Sequence, residues 1–138
     1  MSQLSPHFQS EEFACHDNAR TPVPRAYLPA VEYLCKEILE PMRDRFGPCT
    51  VNSGFRTAAH NRSIPGSARN SFHVYTIHDA DDVAADVWFS RGSVNEWVSH
   101  AEQIYAAKRN DKGGIGRYLP GNFVHLDTRD YEARWNGS

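Results

Sequence analysis

The chain has 138 residues, 40% of them hydrophobic, 12% aromatic and 23% charged, a composition that excludes disordered and collagen-like chains and suits a single domain, 1–138, with one sizeable core. Fifteen Lys plus Arg against seventeen Asp plus Glu give a net charge of −2, without the basic excess that nucleic-acid binding draws on. No apolar run approaches the ~18 residues that cross a bilayer, so neither nucleic acid nor membrane is expected as a partner, and a monomer is expected.

The opening MSQLSPHFQSEEF has neither a basic n-region nor an apolar h-region, so it does not read as a secretory signal. Synthesis in the cytoplasm is expected, and action outside the cell would need another route of release. Within this stretch Ser10-Glu11-Glu12-Phe13 reads as a capped helical turn, its acids placed where the helix dipole favours them. Asn18 to Val23 is turn-like. Pro29 suits a first helical turn, and Val31, Leu34, Cys35, Ile38, Leu39, Met42 and Phe46 then recur at three- and four-residue steps. That is an amphipathic helix stopped by Gly47-Pro48, with Pro41 expected to kink its last turn. Cys15, Cys35 and Cys49 are odd in number and include no CxxC pair, which speaks against a disulfide framework and a cysteine zinc site. Cys35 and Cys49 read as small core residues.

Thr50-Val51-Asn52 is a short strand leading to Ser53-Gly54, and Arg56 to Asn70 is a long ordered loop that has room for one helical turn. Loops of that length in compact domains tend to carry function. Val83 to Phe89 reads as a buried strand with one acid, Asp86, inside it. Ser93-Val94-Asn95-Glu96 is a capping box, opening a second amphipathic helix through Trp97, Val98, Ala101, Ile104 and Tyr105. Gly113 to Tyr118 and Phe123 to Asp127 form a hairpin. The expected fold class is α+β, a small antiparallel sheet packed with two or three helices.

Three residues stand out chemically. Asp86 lies in an apolar strand, where an unpaired carboxylate is costly and calls for a cation or a metal. His125 lies mid-strand, and period-two alternation puts it on one face with Phe123 and Asp127. His73 offers a second imidazole. Two imidazoles and a carboxylate make a zinc site that leaves a fourth position for water. HExxH, HxE…PCxxC and GxSxG patterns are all missing from the sequence.

In order along the chain stand Ser53-Gly54-Phe55-Arg56-Thr57, His60-Asn61, Ser71-Phe72-His73, Ala84-Ala85-Asp86, Gly114-Ile115-Gly116-Arg117-Tyr118 and Phe123-Val124-His125-Leu126-Asp127. This ordered set resembles the M15 family of zinc D-Ala-D-Ala peptidases, with a hedgehog/DD-peptidase-like fold, and the likeness runs roughly from Leu4 to Trp135. The resemblance implies Zn2+ held by His73, Asp86 and His125, with Arg56 anchoring a substrate carboxylate through its guanidinium fork. It also implies that Ser71 contacts the substrate or orients the metal shell. The substrate would be a peptidoglycan stem peptide, cut by a carboxypeptidase or an endopeptidase, with a phage lysin as one setting. A metal-stabilised, non-catalytic domain that binds a peptide or partner is the rival reading.

Two departures from the family pattern bear on this assignment. Asp86 follows His73 by thirteen residues, where the motif SxHxxGxAxD has seven, so a segment around Thr76 to Asp82 is inserted. Either His73 remains the ligand or His78 replaces it. The acids Asp79, Asp81 and Asp82 read as a solvated loop, with a weak second cation site as the other option. Asn122 occupies the position, three residues before the last ligand, where several branches carry a Glu base. Asp127 is the nearby carboxylate, about 7 Å along the strand from His125, as general base or as a partner behind the metal ligand, with a surface salt bridge to Arg129 or Arg56 as the plain alternative. Tyr118 and Trp135 are candidates for the cleft lining or for the core, and Gly113 to Gly116 for close backbone approach beside the site.

Overall fold

In a computed structural model describing residues 2–137, three helices pack against a five-stranded mixed sheet, beside a small N-terminal hairpin. The hairpin pairs β1 (Gln3–Ser5) with β2 (Phe8–Gln9). A 3-10 turn at Ser10–Phe13 follows, and its cap is Gln9, whose N–H donates to Glu12 Oε2 at 2.8 Å. The first long helix runs from α1 (Leu28–Leu34) through a π-helical turn at Cys35–Leu39 into α2 (Glu40–Phe46).

The expected kink at Pro41 takes the form of that π turn. Proline has no N–H to give the Glu37 carbonyl, and the helix widens by one residue just before it. The freed Glu37 carbonyl accepts instead from Lys108 Nζ at 2.9 Å. Lys108 belongs to α4 (Val94–Arg109), so the defect ties the two long helices together. Helix α4 starts where the capping box placed it, with Ser93 Oγ accepting from the Glu96 N–H, and ends at Asn110 in a left-handed conformation, φ 54°.

The sheet contains β3 (Cys49–Ser53), β4 (Ala84–Phe89), β5 (Gly113–Tyr118), β6 (Phe123–Asp127) and β7 (Glu132–Asn136) in the order β3-β4-β6-β5-β7. All neighbours are antiparallel except β7, which runs parallel to β5. That fifth strand lacks a strand signal in the sequence beyond Trp135, and it makes the sheet mixed rather than purely antiparallel. The long loop contains one short helix, α3 (Ala58–Ser63), capped by Thr57 Oγ1 accepting from the His60 N–H. Cys35 is fully buried as expected, whereas Cys49 is only partly buried, packed against the core from the end of an outer strand.

Alternation divides the sheet into two chemical faces. Ala85, Val87, Val124, Leu126 and Ile115 join Leu34, Ile38, Trp97 and Tyr105 of the helices in one buried cluster. Residues paired directly across neighbouring strands point to the same side. Asp86 pairs with His125, His125 with Gly116, and Gly116 with Trp135. One row across four strands, on the side away from the helices, therefore holds the acid and the imidazole.

Candidate metal centre

Register alone fixes half of the site. Asp86 and His125 are direct partners on β4 and β6, and Asp86 Oδ1 lies 2.9 Å from His125 Nδ1. The other half arrives on the loop. His73 Nε2 lies 3.2 Å from Asp86 Oδ2, and the two imidazole rings meet edge to face with centroids 5.1 Å apart. One ligand atom from each of His73, Asp86 and His125 falls within 4.8 Å of the others. All three residues are buried.

The fit to a divalent metal rests on what the outer nitrogens do. His73 Nδ1 lies 2.8 Å from the Gly54 carbonyl, which can only accept, so Nδ1 carries the proton and Nε2 faces Asp86. His125 Nε2 lies 2.8 Å from Asp127 Oδ2, so it donates there and turns Nδ1 inward. Both rings thus present a nitrogen to the same point as a carboxylate, with the opposite N–H held, which is how metal-ligating histidines are oriented. Burial works against ionising Asp86, but the two imidazoles outweigh it and hold its carboxyl below the usual range. Burial likewise lowers His125, yet its hydrogen bonds to Asp127 and Asp86 prevail and raise it to about 9.

Asp127 lies behind His125 and is fully buried. Its oxygens accept from His125 Nε2, the Gly114 N–H at 2.8 Å, the Arg129 N–H at 3.0 Å and the Arg129 guanidinium at 2.6 Å. Asp127 thus stands behind His125 and is also ion-paired with Arg129, in the interior rather than on the surface. A carboxylate so enclosed has no face toward the cleft. Gly114 allows the enclosure, because a Cβ there would sit 2.7 Å from Asp127 Cγ. Asn122 stands in the turn between β5 and β6 with φ 57°, a left-handed position that asparagine tolerates. It is exposed and serves the turn.

The cleft above the triad encloses about 680 Å³, and Arg56, Ser71, Tyr118, Arg129 and Trp135 are among its walls. Among the described residues lining it, Asp86 is the one carboxylate. Arg56 is largely buried, its Nε donating to Ser53 Oγ and its Nη1 to Asn61 Oδ1, both at 3.1 Å. Its Nη2 lies 3.9 Å from Asp86 Oδ2, on the border of the triad. Ser71 Oγ accepts from the His73 N–H at 3.1 Å, so it steadies the loop that delivers the ligand. Tyr118 stacks on Phe123 at 4.4 Å and accepts at its hydroxyl from Trp135 Nε1 at 2.9 Å. Trp135 reaches His125, centroids 5.0 Å apart, because Gly116 leaves room beneath the indole.

His78 does not join the cluster. Its Nε2 lies 3.1 Å from each of the Asn70 and Ser71 carbonyls, and its ring stacks on Phe72. The acids Asp79, Asp81 and Asp82 border a separate hollow with Arg109 and Asp130, and among the described residues they form no metal-type grouping. Gly54 is a contributor that the sequence did not single out, while the pairing of Arg129 with Asp127, expected as a surface salt bridge, is present but buried. Gly54 acts through its carbonyl, which no side-chain pattern can signal. Arg129 had a signal as a cation two residues beyond Asp127, although it lies past the end of β6.

The α+β fold carries a buried His–Asp–His grouping of a kind that can hold a metal ion. The Peptidase M15 family matches residues 6–127, and the chain belongs to that family. Among curated proteins and among solved structures, no match is found.

Proposed function

We propose that the chain is a zinc-dependent peptidase acting on peptidoglycan stem peptides of the bacterial wall, of the D-Ala-D-Ala carboxypeptidase or endopeptidase type. One observation supports this most: two imidazoles and a carboxylate converge with their outer N–H groups held, at the floor of an open cleft beside a buried arginine. His73, Asp86 and His125 would hold the metal. Bound zinc would polarise the scissile carbonyl and lower the pKa of its water toward ~7.

The chain's own residues do the rest. Arg56, held at Nε and Nη1 and bordering Asp86 through Nη2, anchors the substrate carboxylate and so sets how far the scissile bond lies from the triad. Asp127 keeps His125 in the Nε2–H form. Tyr118 already accepts from Trp135, so its own O–H is aimed elsewhere, and from the cleft wall it donates to the peptide. Ser71 serves by bracing the His73 backbone. The setting that suits this activity is the wall of a bacterium, reached as a phage lysin reaches it.

The non-catalytic reading draws on one observation: Asp86 is the only carboxylate among the described cleft residues, which leaves no free acid there to take the water's proton. Digestion of purified peptidoglycan with and without chelator, with fragments read by mass spectrometry, separates the two. Chelator-sensitive release of D-Ala or of stem peptides supports the peptidase. A protein that holds one zinc and releases nothing from several wall types overturns it.

A further inference from the structure

The inserted segment is not a loose loop. The ring of His78 lies parallel to that of Phe72, centroids 3.9 Å apart and planes 9° from coincidence. The Arg129 guanidinium carbon lies 4.0 Å from the same Phe72 centroid. Two groups that close to one ring centre must take its opposite faces. His78, Phe72 and Arg129 are thus one stacked column. Its outer end is pinned where His78 Nε2 meets the Asn70 and Ser71 carbonyls and where the His78 carbonyl accepts from the Tyr27 hydroxyl at 3.2 Å.

At its inner end the column meets the metal centre. Arg129 Nε lies 3.0 Å from both Asp127 oxygens and Nη2 lies 2.6 Å from Oδ2. Tyr131 and Trp135 flank the guanidinium at 5.4 and 5.1 Å. An arginine fork loses little freedom per hydrogen bond, and aromatic faces hold its plane. Asp127 Oδ2, gripped this way, is the atom to which His125 Nε2 donates.

We propose that Arg129 is a positioning residue for the metal site, braced by Phe72 stacked on His78 of the inserted segment and acting through Asp127 to keep Nδ1 of His125 as the ligand atom. The inserted segment thereby takes part in metal affinity although it supplies no ligand. The inference rests on the metal reading of the triad and not on the identity of the substrate.

The test is zinc affinity of the full chain, by competition with a chromogenic chelator, together with 15N NMR of the His125 ring in the zinc-loaded protein. For Arg129→Gln the expected result is zinc binding about tenfold or more weaker, the usual scale for partners behind a ligand, and loss of the single Nε2–H state of His125. Arg129→Lys keeps charge without the fork and is expected in between. His78→Ala removes only the outer layer of the stack, which keeps the test open should Arg129→Gln fail to fold. About threefold weaker zinc is expected there, from the scale of one aromatic pair. Zinc affinity within twofold of wild type in both Arg129→Gln and His78→Ala, with an unchanged His125 signal, overturns the proposal. Neither readout uses substrate, so a protein that passes here and cleaves no wall peptide refutes the proposed function alone.

Discussion

The two halves of the metal centre are held by different physics. Asp86 and His125 are placed by strand register, a cooperative ladder in which a one-residue slip would turn both side chains into the core. His73 and Arg56 are placed by a loop, through single hydrogen bonds: the Gly54 carbonyl to His73, the His73 carbonyl to the Arg56 N–H, and Ser71 to the His73 N–H. The strand half tolerates little change and carries the geometry. The loop half can accept an insertion, because its anchors lie at Gly54, Arg56 and Ser71, all before the extra residues begin.

The largest effect should come from removing a ligand on either half. His125→Ala and Asp86→Ala are each expected to abolish stoichiometric zinc, read by elemental analysis, together with any metal-dependent hydrolysis. His73→Ala should do the same even though its support is weaker. Retention of one zinc by His73→Ala, with loss in the strand variants, would show that the loop half is dispensable.

Next in size is Gly114→Ala, which strikes the strand half without touching a ligand. The new methyl would collide with the Asp127 carboxylate. We expect a loss of about 1–3 kcal/mol in urea unfolding, the range for overpacking a filled site, and zinc binding about 10–100-fold weaker as Asp127 is displaced. A destabilised protein with unaltered zinc affinity would break the link between Asp127 and His125.

The same division explains what could be read from the sequence. Asp86 inside Val83 to Phe89 and His125 inside Phe123 to Leu126 are conspicuous because alternation fixes their face, and the burial cost of a lone acid demands a cation nearby. The long helices and the β5–β6 hairpin were equally legible from their periods and caps. His73 could be offered as a second imidazole, but only the likeness to a known motif favoured it over His78, since nothing in a polar loop of its own says which imidazole turns inward. The choice between His73 and His78 depends on the Gly54, Asn70 and Ser71 carbonyls, backbone groups that every residue carries. The widened turn before Pro41 and its closure by Lys108 bring together residues 71 positions apart in sequence, beyond any local signal. Asp127 was visible as a carboxylate, but its seclusion behind His125 follows from Gly114 and Arg129 closing on it from two strands' ends.

Arg56 sharpens the comparison from the loop side. Arg56→Ala is expected to raise KM about 10–100-fold for peptides ending in a free carboxylate, following the 1.5–3 kcal/mol of a hydrogen bond to a charged group. Zinc affinity should change far less, since the triad keeps its own anchors. Amide-capped peptides should lose the discrimination between wild type and variant. Equal KM values for the carboxylate peptide would remove Arg56 from the substrate site.

The smallest effect is expected at Ser71, and its size measures how redundant the loop anchors are. Ser71→Ala removes one acceptor, that of the His73 N–H. His73 would still be held at Nδ1 by the Gly54 carbonyl, and its own carbonyl would still accept from the Arg56 N–H, both at 2.8 Å. Losing one such bond costs about 0.5–1.5 kcal/mol, so zinc affinity should fall by no more than about tenfold. A drop as large as that of Gly114→Ala would mean that the loop ligand hangs on a single bond, and that the two halves are equally brittle.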